Sequence, residues 1–164
     1  MLPNPLHPAI VHLPIALAFL LPLFAVAALV AIRTAWLPRR AWSAVVLLAG
    51  LLIIGSWIAL ETGEGEEDRV QDVVEHELIE AHEEAAEAFA ALGLILFLVA
   101  GAGLSAGRMG GLARGGTVIV ALVLLVAGTR VGHLGGELVY VHGAAGVHLD
   151  PGAMTSRGSV PSHP

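Results

Sequence analysis

The sequence predicts an all-α integral membrane protein, a bundle of four transmembrane helices whose third helix carries an amphipathic extension on the outer side. Three observations support this prediction. Apolar residues make up 56% of the 164-residue chain, and charged residues only 13%. The apolar residues are gathered into four runs, each close to the roughly 20 residues that a helix needs to cross a bilayer. Most charged residues lie between those runs or after them.

The first two spans are predicted at residues 9–32 and 41–60. Pro14 and Pro22 lie inside the first span, where each removes one backbone hydrogen bond and frees the carbonyl four residues earlier. Within a membrane those carbonyls need another partner, so we expect a kink packed against neighbouring helices. The apolar run is too long for a cleaved signal peptide, so the first helix is expected to stay in the protein.

The third and fourth spans are predicted at residues 85–104 and 116–134. Between the second and third spans, residues 61–87 hold twelve acidic residues against one arginine. Apolar residues in the second half of this segment recur at helical spacing, which predicts an extension that runs without a break into the third span. The acid-rich residues 61–68 lack the ligand spacing of an EF-hand, and we expect a solvated loop there.

Charge predicts how the chain crosses the membrane. The links between spans one and two and between spans three and four hold five arginines and no acidic residue. By the positive-inside rule these links face the cytoplasm. Both termini, all 14 acidic residues and all 8 histidines then lie on the outer side of a multi-pass protein. Residues 1–149 would form this membrane domain, and the Pro/Gly/Ser-rich residues 150–164 a flexible tail.

Several classes of function are excluded or disfavoured. The chain has no cysteine, which excludes disulfides, iron–sulfur clusters and covalently attached c-type haem. A formal net charge of −6 offers no basic face for nucleic acid. The sequence lacks a nucleophile elbow, a phosphate-binding loop and the HExxH and dinucleotide motifs, so we do not expect an enzyme. A metal or haem would have to be held by His, Glu, Asp, Tyr or backbone oxygen.

Histidines near the outer ends of the spans are the candidate ligands. His12 lies about one turn inside the first span, His82 on the apolar face of the third helix, and His133 at the end of the fourth. Antiparallel helices would place the three at similar depth, where two or three of them could bind a b-type haem or a divalent metal ion. Further candidates near the same mouth are His142 for a metal, and Arg130 and Tyr140 for the haem propionates.

Each candidate also has a structural interpretation. A histidine at the depth of His12 needs a partner, which could simply be a carboxylate or a freed carbonyl. Arg130 could pair with Glu61 or Glu137, and the glycine-bounded segment after the fourth span could fold back as a cap. His76 heads a polar row of glutamates that we expect to be a solvated acidic face.

Two stretches of the chain resemble a known family. Residues 7–17, HPAIVHLPIAL, are similar to the HPxxVHFPIAL opening of a bacterial membrane family of unknown function, numbered 2231, and residues 135–143, GGELVYVHG, to its GGxLVYxHG ending. Leu13 replaces the usual phenylalanine, and Ala144-Ala145 adds a residue. The resemblance, over about residues 6–148, implies a four-helix bundle in a bacterial inner membrane. Some members are fused to c-type cytochrome modules, which implies a redox setting.

These observations leave three hypotheses for function. In the first, the histidine-lined outer mouth binds b-type haem or a metal ion and transfers electrons with other membrane or periplasmic redox proteins. In the second, the chain is a non-catalytic accessory subunit of a larger redox or photosynthetic complex, and the histidines are polar caps. In the third, it binds divalent cations that the acidic segment attracts. Membrane lipid surrounds the protein in each case.

Overall fold

The computed structural model describes residues 7–71 and 73–148, with only the backbone at residues 68, 69, 147 and 148. The tail predicted at residues 150–164 lies outside this part of the chain. The described residues form five α-helices and two short 3-10 helices and no strand. The α-helices are α1 (His7–Ile10), α2 (His12–Arg33), α3 (Ser43–Val70), α4 (His76–Ala102) and α5 (Gly107–Tyr140), and the 3-10 helices are Arg39–Trp42 and Ala144–His148.

The long helices α2 to α5 form a closed ring. Each one packs against the next along the chain, and α5 packs against α2. The four spans are long and apolar enough to cross a membrane, which confirms the predicted four-span bundle. Because consecutive helices alternate in direction, the bundle has two chemically different ends. We call the end with residues 7–12, 61–83 and 130–148 the acidic end, and the end with residues 33–43 and 102–114 the arginine-rich end.

The core lies along the axis of this ring. Each long helix contributes one leucine whose side chain is 0% exposed, and these are Leu21, Leu52, Leu96 and Leu124. Alanines one turn away on the same faces bring the helices close together. Many other large apolar side chains are exposed on the outside of the ring, where a membrane protein meets lipid.

Pro14 interrupts the first predicted span at one residue. Instead of one helix over residues 9–32, α1 ends at Ile10 and α2 begins at His12. Pro14 has no N–H to donate to the Ile10 carbonyl four residues earlier, so one hydrogen bond is missing there. Val11 keeps a helical backbone, its N–H donates to the His7 carbonyl at 3.1 Å, and the Ile15 N–H donates to the Val11 carbonyl at 3.2 Å, so the chain stays helical through the interruption. Pro22 lies inside α2 and does not end it.

At the acidic end the helix limits differ from the prediction. The stretch at residues 61–68 is helical, because α3 continues to Val70. Within it, Trp57 Nε1 donates to Glu61 Oε1 at 3.0 Å, and Gln71 Nε2 donates to Glu67 Oε1 at 2.6 Å. Such pairs four residues apart stabilise a helix that glutamate already favours.

The other two helices at the acidic end also change their limits. α5 runs to Tyr140, six residues past the predicted end of the fourth span. α4 begins only at His76, because the residues before it turn the chain back from α3. The predicted unbroken extension therefore exists from His76 onward.

The end of the described chain covers part of the acidic end. After a turn at Gly143, which has a φ of +77°, the second 3-10 helix contacts both α5 and α3. Ala144 is buried there with Val74 and Ile79, in an apolar cluster separate from the core. The segment that folds back is thus the one after α5, whereas Tyr140 is 88% exposed at the end of that helix.

Candidate functional site

Most of the predicted ligands lie on the outside of the bundle. His133 has a 74% exposed side chain, whose Nε2 is 3.4 Å from Glu137 Oε1. The other exposed candidates are His12, Arg130, Tyr140 and His142. Across residues 7–71 and 73–148, no three His, Asp or Glu side chains group so that they could hold a metal ion. The structure therefore does not bring His12, His82 and His133 together as one three-ligand site.

The positions of His12 and His133 around their helices explain why the three histidines do not meet. The buried face of α2 passes through Pro14, Leu17 and Leu21, and His12 lies two residues before it, on nearly the opposite side of the helix. The buried face of α5 includes Leu124 and Gly128, and His133 is off that line. The structure leaves His12 and His133 exposed, whereas the predicted site requires both to point into the bundle.

His82 is the predicted ligand that lies inside the bundle. Its Nδ1 is buried and has no hydrogen-bond partner among the described residues. The imidazole packs directly on α5, where a Cβ added to Gly135 would lie 3.0 Å from its Cε1 atom. The ring also interacts with the backbone of Val131, one turn before Gly135. A glycine on α5 thus makes the space that this imidazole occupies.

His7 is a second inward-facing histidine, which the sequence reasoning did not select. Its Nδ1 lies 2.9 Å from the Ala59 carbonyl and 3.2 Å from Thr62 Oγ1. A carbonyl can only accept, so Nδ1 carries the proton and Nε2 keeps a free lone pair. The ring packs on α3, where a Cβ at Gly63 would lie 3.2 Å from its Cε1 atom.

His7 and His82 form the candidate site, which we call the histidine pair. The two imidazoles come from α1 and α4, and His7 is among the groups that act electrostatically on His82. Each ring packs on a glycine of a neighbouring helix, and the buried Nδ1 of His82 has no hydrogen-bond partner among the described residues. The pair lies at the acidic end, between the helix ends rather than in the apolar core.

His7 was missed because the sequence placed it just outside the first span. His7 and His12 are five residues apart, about 140° around a helix, so His7 packs on α3 while His12 is exposed. Two sequence signals could have indicated this arrangement. Gly63 is a glycine in an acidic stretch that is otherwise suited to a helix. Gly135 lies on the face of α5 that meets α4.

Carboxylates surround the histidine pair. Glu66 lies within electrostatic range of His7. Glu83, one residue after His82, interacts with Glu64, Glu67, Glu87 and His76. His76, Glu80 and Glu87 are exposed, as predicted for a solvated acidic face. The pair is therefore reached through a strongly negative surface.

The arrangement suits a small ion better than a haem. A b-type haem needs an apolar slot beside its axial ligands. Here the His82 ring is already in contact with α5 at Gly135, and His7 with α3 at Gly63. Cavities of about 370 and 330 Å³ lie elsewhere, and no histidine lines them. The described residues do not fit a haem at the pair, whereas an orphaned imidazole nitrogen fits a metal ion.

Comparison with known proteins places the chain in a family. A family model described as "Predicted membrane protein (DUF2231)" matches residues 3–148, a range that includes His7, His82 and Gly135. No curated protein and no solved structure matches the chain. The match covers both similar stretches and all four spans, so the chain belongs to the DUF2231 family of predicted membrane proteins.

Proposed function

We propose that this multi-pass membrane protein binds a transition-metal ion at its acidic end, with His7 Nε2 and His82 Nδ1 as ligands. The observation that carries the proposal is the buried Nδ1 of His82, which lacks a hydrogen-bond partner within the described chain. A buried polar atom without a partner costs about 1–3 kcal/mol. An ion bound to the lone pair removes that cost.

The second ring nitrogen of His7 supports the same assignment. Histidines that bind metals usually donate their other N–H to a carbonyl or carboxylate, which fixes the ring and directs the free lone pair at the ion. His7 does this through Nδ1 and the Ala59 carbonyl.

The chemistry of the ligands narrows the choice of ion. Neutral imidazole suits zinc, copper, nickel and iron, whereas magnesium and calcium prefer oxygen ligands. Two imidazoles leave coordination positions for water. Copper or iron at the pair would support the electron transfer expected from the family resemblance, with a membrane or periplasmic redox protein as partner. Zinc would give a site without redox chemistry.

The acidic surface supplies the ion. Residues 61–87 carry twelve acidic residues in a chain whose formal net charge is −6, and such a field raises the local concentration of cations. Five arginines at the opposite end favour an orientation in which that end faces the cytoplasm. The histidine pair then opens to the outer side of the membrane, where it meets external metal ions.

The proposal is tested by metal analysis of the full-length chain in mild detergent. Protein stripped with a chelator is reloaded with Zn²⁺ or Cu²⁺ in high salt, which weakens binding to the exposed carboxylates. Bound metal is then counted by mass spectrometry. We expect one ion per wild-type chain, and loss of that ion in His7→Ala and in His82→Ala.

Matched controls come from the exposed histidines. His12→Ala and His133→Ala remove an imidazole from the same end of the bundle without touching the pair, and should keep one ion. If all four variants bind like the wild type, the metal is held by the acidic surface and the proposal is wrong. If none of the chains binds an ion in high salt, it is equally wrong.

A further inference from the structure

A groove at the arginine-rich end is separate from the histidine pair and has its own chemistry. It lies between the end of α2 and the start of α3, and its volume is about 370 Å³. Alanines of both helices leave the space open, and larger apolar side chains form its walls. The lining residues include Phe24, Ala27, Ala31, Trp36, Leu37 and Ala44.

The backbone after α2 holds the wall of this groove in place. Ala35 has a φ of +59°, a left-handed backbone conformation that residues other than glycine rarely adopt. The turn it creates lets the Trp36 and Leu37 N–H groups both donate to the Ala31 carbonyl, at 2.8 and 3.0 Å. All three of these residues line the groove, so this strained turn shapes it.

The same link is rich in unopposed positive charge. Arg33, Arg39 and Arg40 are exposed, and residues 33–42 include no acidic residue. Trp36, which is 86% exposed, is of the type that concentrates at the membrane–water interface. A link that carries three exposed arginines and also lines an apolar groove matches a molecule with an acyl chain and an anionic headgroup.

The other link at this end lacks that combination. Arg114 is only 6% exposed, and its guanidinium is engaged by backbone carbonyls of the α4–α5 turn. Arg108 is exposed and does not line this groove. Charge and apolar space therefore coincide at the α2–α3 link.

We propose that this groove binds one anionic phospholipid, with an acyl chain along the alanines and the headgroup phosphate at Arg39 and Arg40. Guanidinium groups bind phosphate oxygens through paired hydrogen bonds, and basic pockets between membrane helices are suited to anionic headgroups. A free phosphate would gain nothing from the apolar walls.

The experiment uses the full chain, delipidated in detergent and titrated with phosphatidylglycerol or with phosphatidylcholine of the same acyl chains. Native mass spectrometry measures the fraction of protein that retains one lipid. We expect phosphatidylglycerol to be retained several-fold better than phosphatidylcholine. Arg39→Gln should weaken phosphatidylglycerol binding about five-fold, whereas Arg108→Gln, an equal charge change at the same end, should not.

A second pair of variants tests the apolar part of the groove. Ala44 lines it and Ala91 does not, and both side chains are exposed, so enlarging either leaves the core intact. Ala44→Phe should displace both lipids, and Ala91→Phe neither. Equal retention of the two lipids, equal effects of Arg39→Gln and Arg108→Gln, or normal lipid binding by Ala44→Phe would each overturn the proposal.

Discussion

At the scale of single residues, glycines decide where the imidazoles lie. Gly63 and Gly135 belong to different helices, and each faces the ring of one member of the histidine pair. A Cβ at Gly63 or Gly135 would lie 3.2 or 3.0 Å from an imidazole carbon, so the ring would have to shift. Both glycines lie in helices, where glycine lowers stability because it loses more backbone entropy on folding than other residues. Their role here is therefore to leave space for the imidazoles.

Gly135→Ala should therefore weaken metal binding without removing a ligand. The new Cβ would lie 3.0 Å from His82 Cε1, closer than side chains normally pack, so the ring must shift. Displacing a supported metal ligand typically costs 10-fold or more in affinity, and we expect about that loss for Zn²⁺ by calorimetric titration.

Gly136→Ala is the matched control for this substitution. It makes the same change one residue later, where an added Cβ meets nothing within 4 Å. Its affinity for Zn²⁺ should equal that of the wild type. Equal affinity of the two variants would show that His82 is not held against Gly135 when the metal binds.

Sequence reasoning found one member of the histidine pair and missed the other. His82 lies on an apolar stripe of regular spacing, which fixes its direction, and the structure places it inside. His7 lies before the predicted first span, so the predicted apolar stripe does not include it. Its position is seven residues before Pro14, two turns earlier on the face that is buried in α2, and the structure packs it on α3.

At the scale of elements, the turn between α4 and α5 is held by polar contacts inside the bundle. Arg114 Nε donates to the Gly103 carbonyl at 2.8 Å and its Nη2 to the Ser105 carbonyl at 3.3 Å. Beside them, Trp42 Nε1 donates to the Ala100 carbonyl at 2.9 Å. These donors satisfy the carbonyls of Gly103 and Ser105 just after α4 and add a second donor to the Ala100 carbonyl, which also accepts from the Gly103 N–H.

Arg114→Met should destabilise the bundle. It keeps an unbranched side chain about as long as the aliphatic part of arginine but removes both donors, so the Gly103 and Ser105 carbonyls lose these hydrogen bonds. The expected decrease in the free energy of unfolding is about 2 kcal/mol, measured by denaturation in detergent and followed by circular dichroism.

Arg108→Met removes an arginine of the same helix whose side chain is exposed. It should change the free energy of unfolding by no more than about 0.5 kcal/mol. A loss as large as that of Arg114→Met would mean that charge at this end, rather than the buried contacts, stabilises the turn.

The four spans were predictable from composition, whereas their ends were not. Apolar runs identify which residues cross the membrane, because the bilayer demands them. The bilayer does not determine where a helix ends once the chain has left the membrane. α3 continues into glutamates, and α5 continues through Gly132, Gly135 and Gly136 to Tyr140, because neighbouring helices support them there. Arg114, expected in a link, is helical and buried for the same reason.

At the scale of the whole molecule, the bundle separates opposite charges between its two ends. The positive-inside rule then predicts that the acidic end lies outside the cytoplasm. The chain has no cysteine, so single cysteines introduced at exposed positions report on each end without background. Glu77 and Arg108 are suitable, since both are exposed and they lie at opposite ends.

In intact cells, Glu77→Cys should react with a membrane-impermeant maleimide, and Arg108→Cys should react only after the membrane is opened. The physical reason is that arginine-rich links resist transfer across the cytoplasmic membrane. The reverse labelling pattern would place the histidine pair in the cytoplasm and would remove external metal ions as its source.

Pulsed electron paramagnetic resonance of the full chain, loaded with one equivalent of Cu²⁺, would report directly on whether His7 and His82 bind a metal ion. The remote nitrogen of each coordinated imidazole modulates the echo, so the spectrum counts the histidine ligands. We predict two imidazoles in the wild type and in His12→Ala, and one in His7→Ala and in His82→Ala. A spectrum without imidazole modulation, or one that neither substitution at the pair changes, would contradict a metal site at His7 and His82.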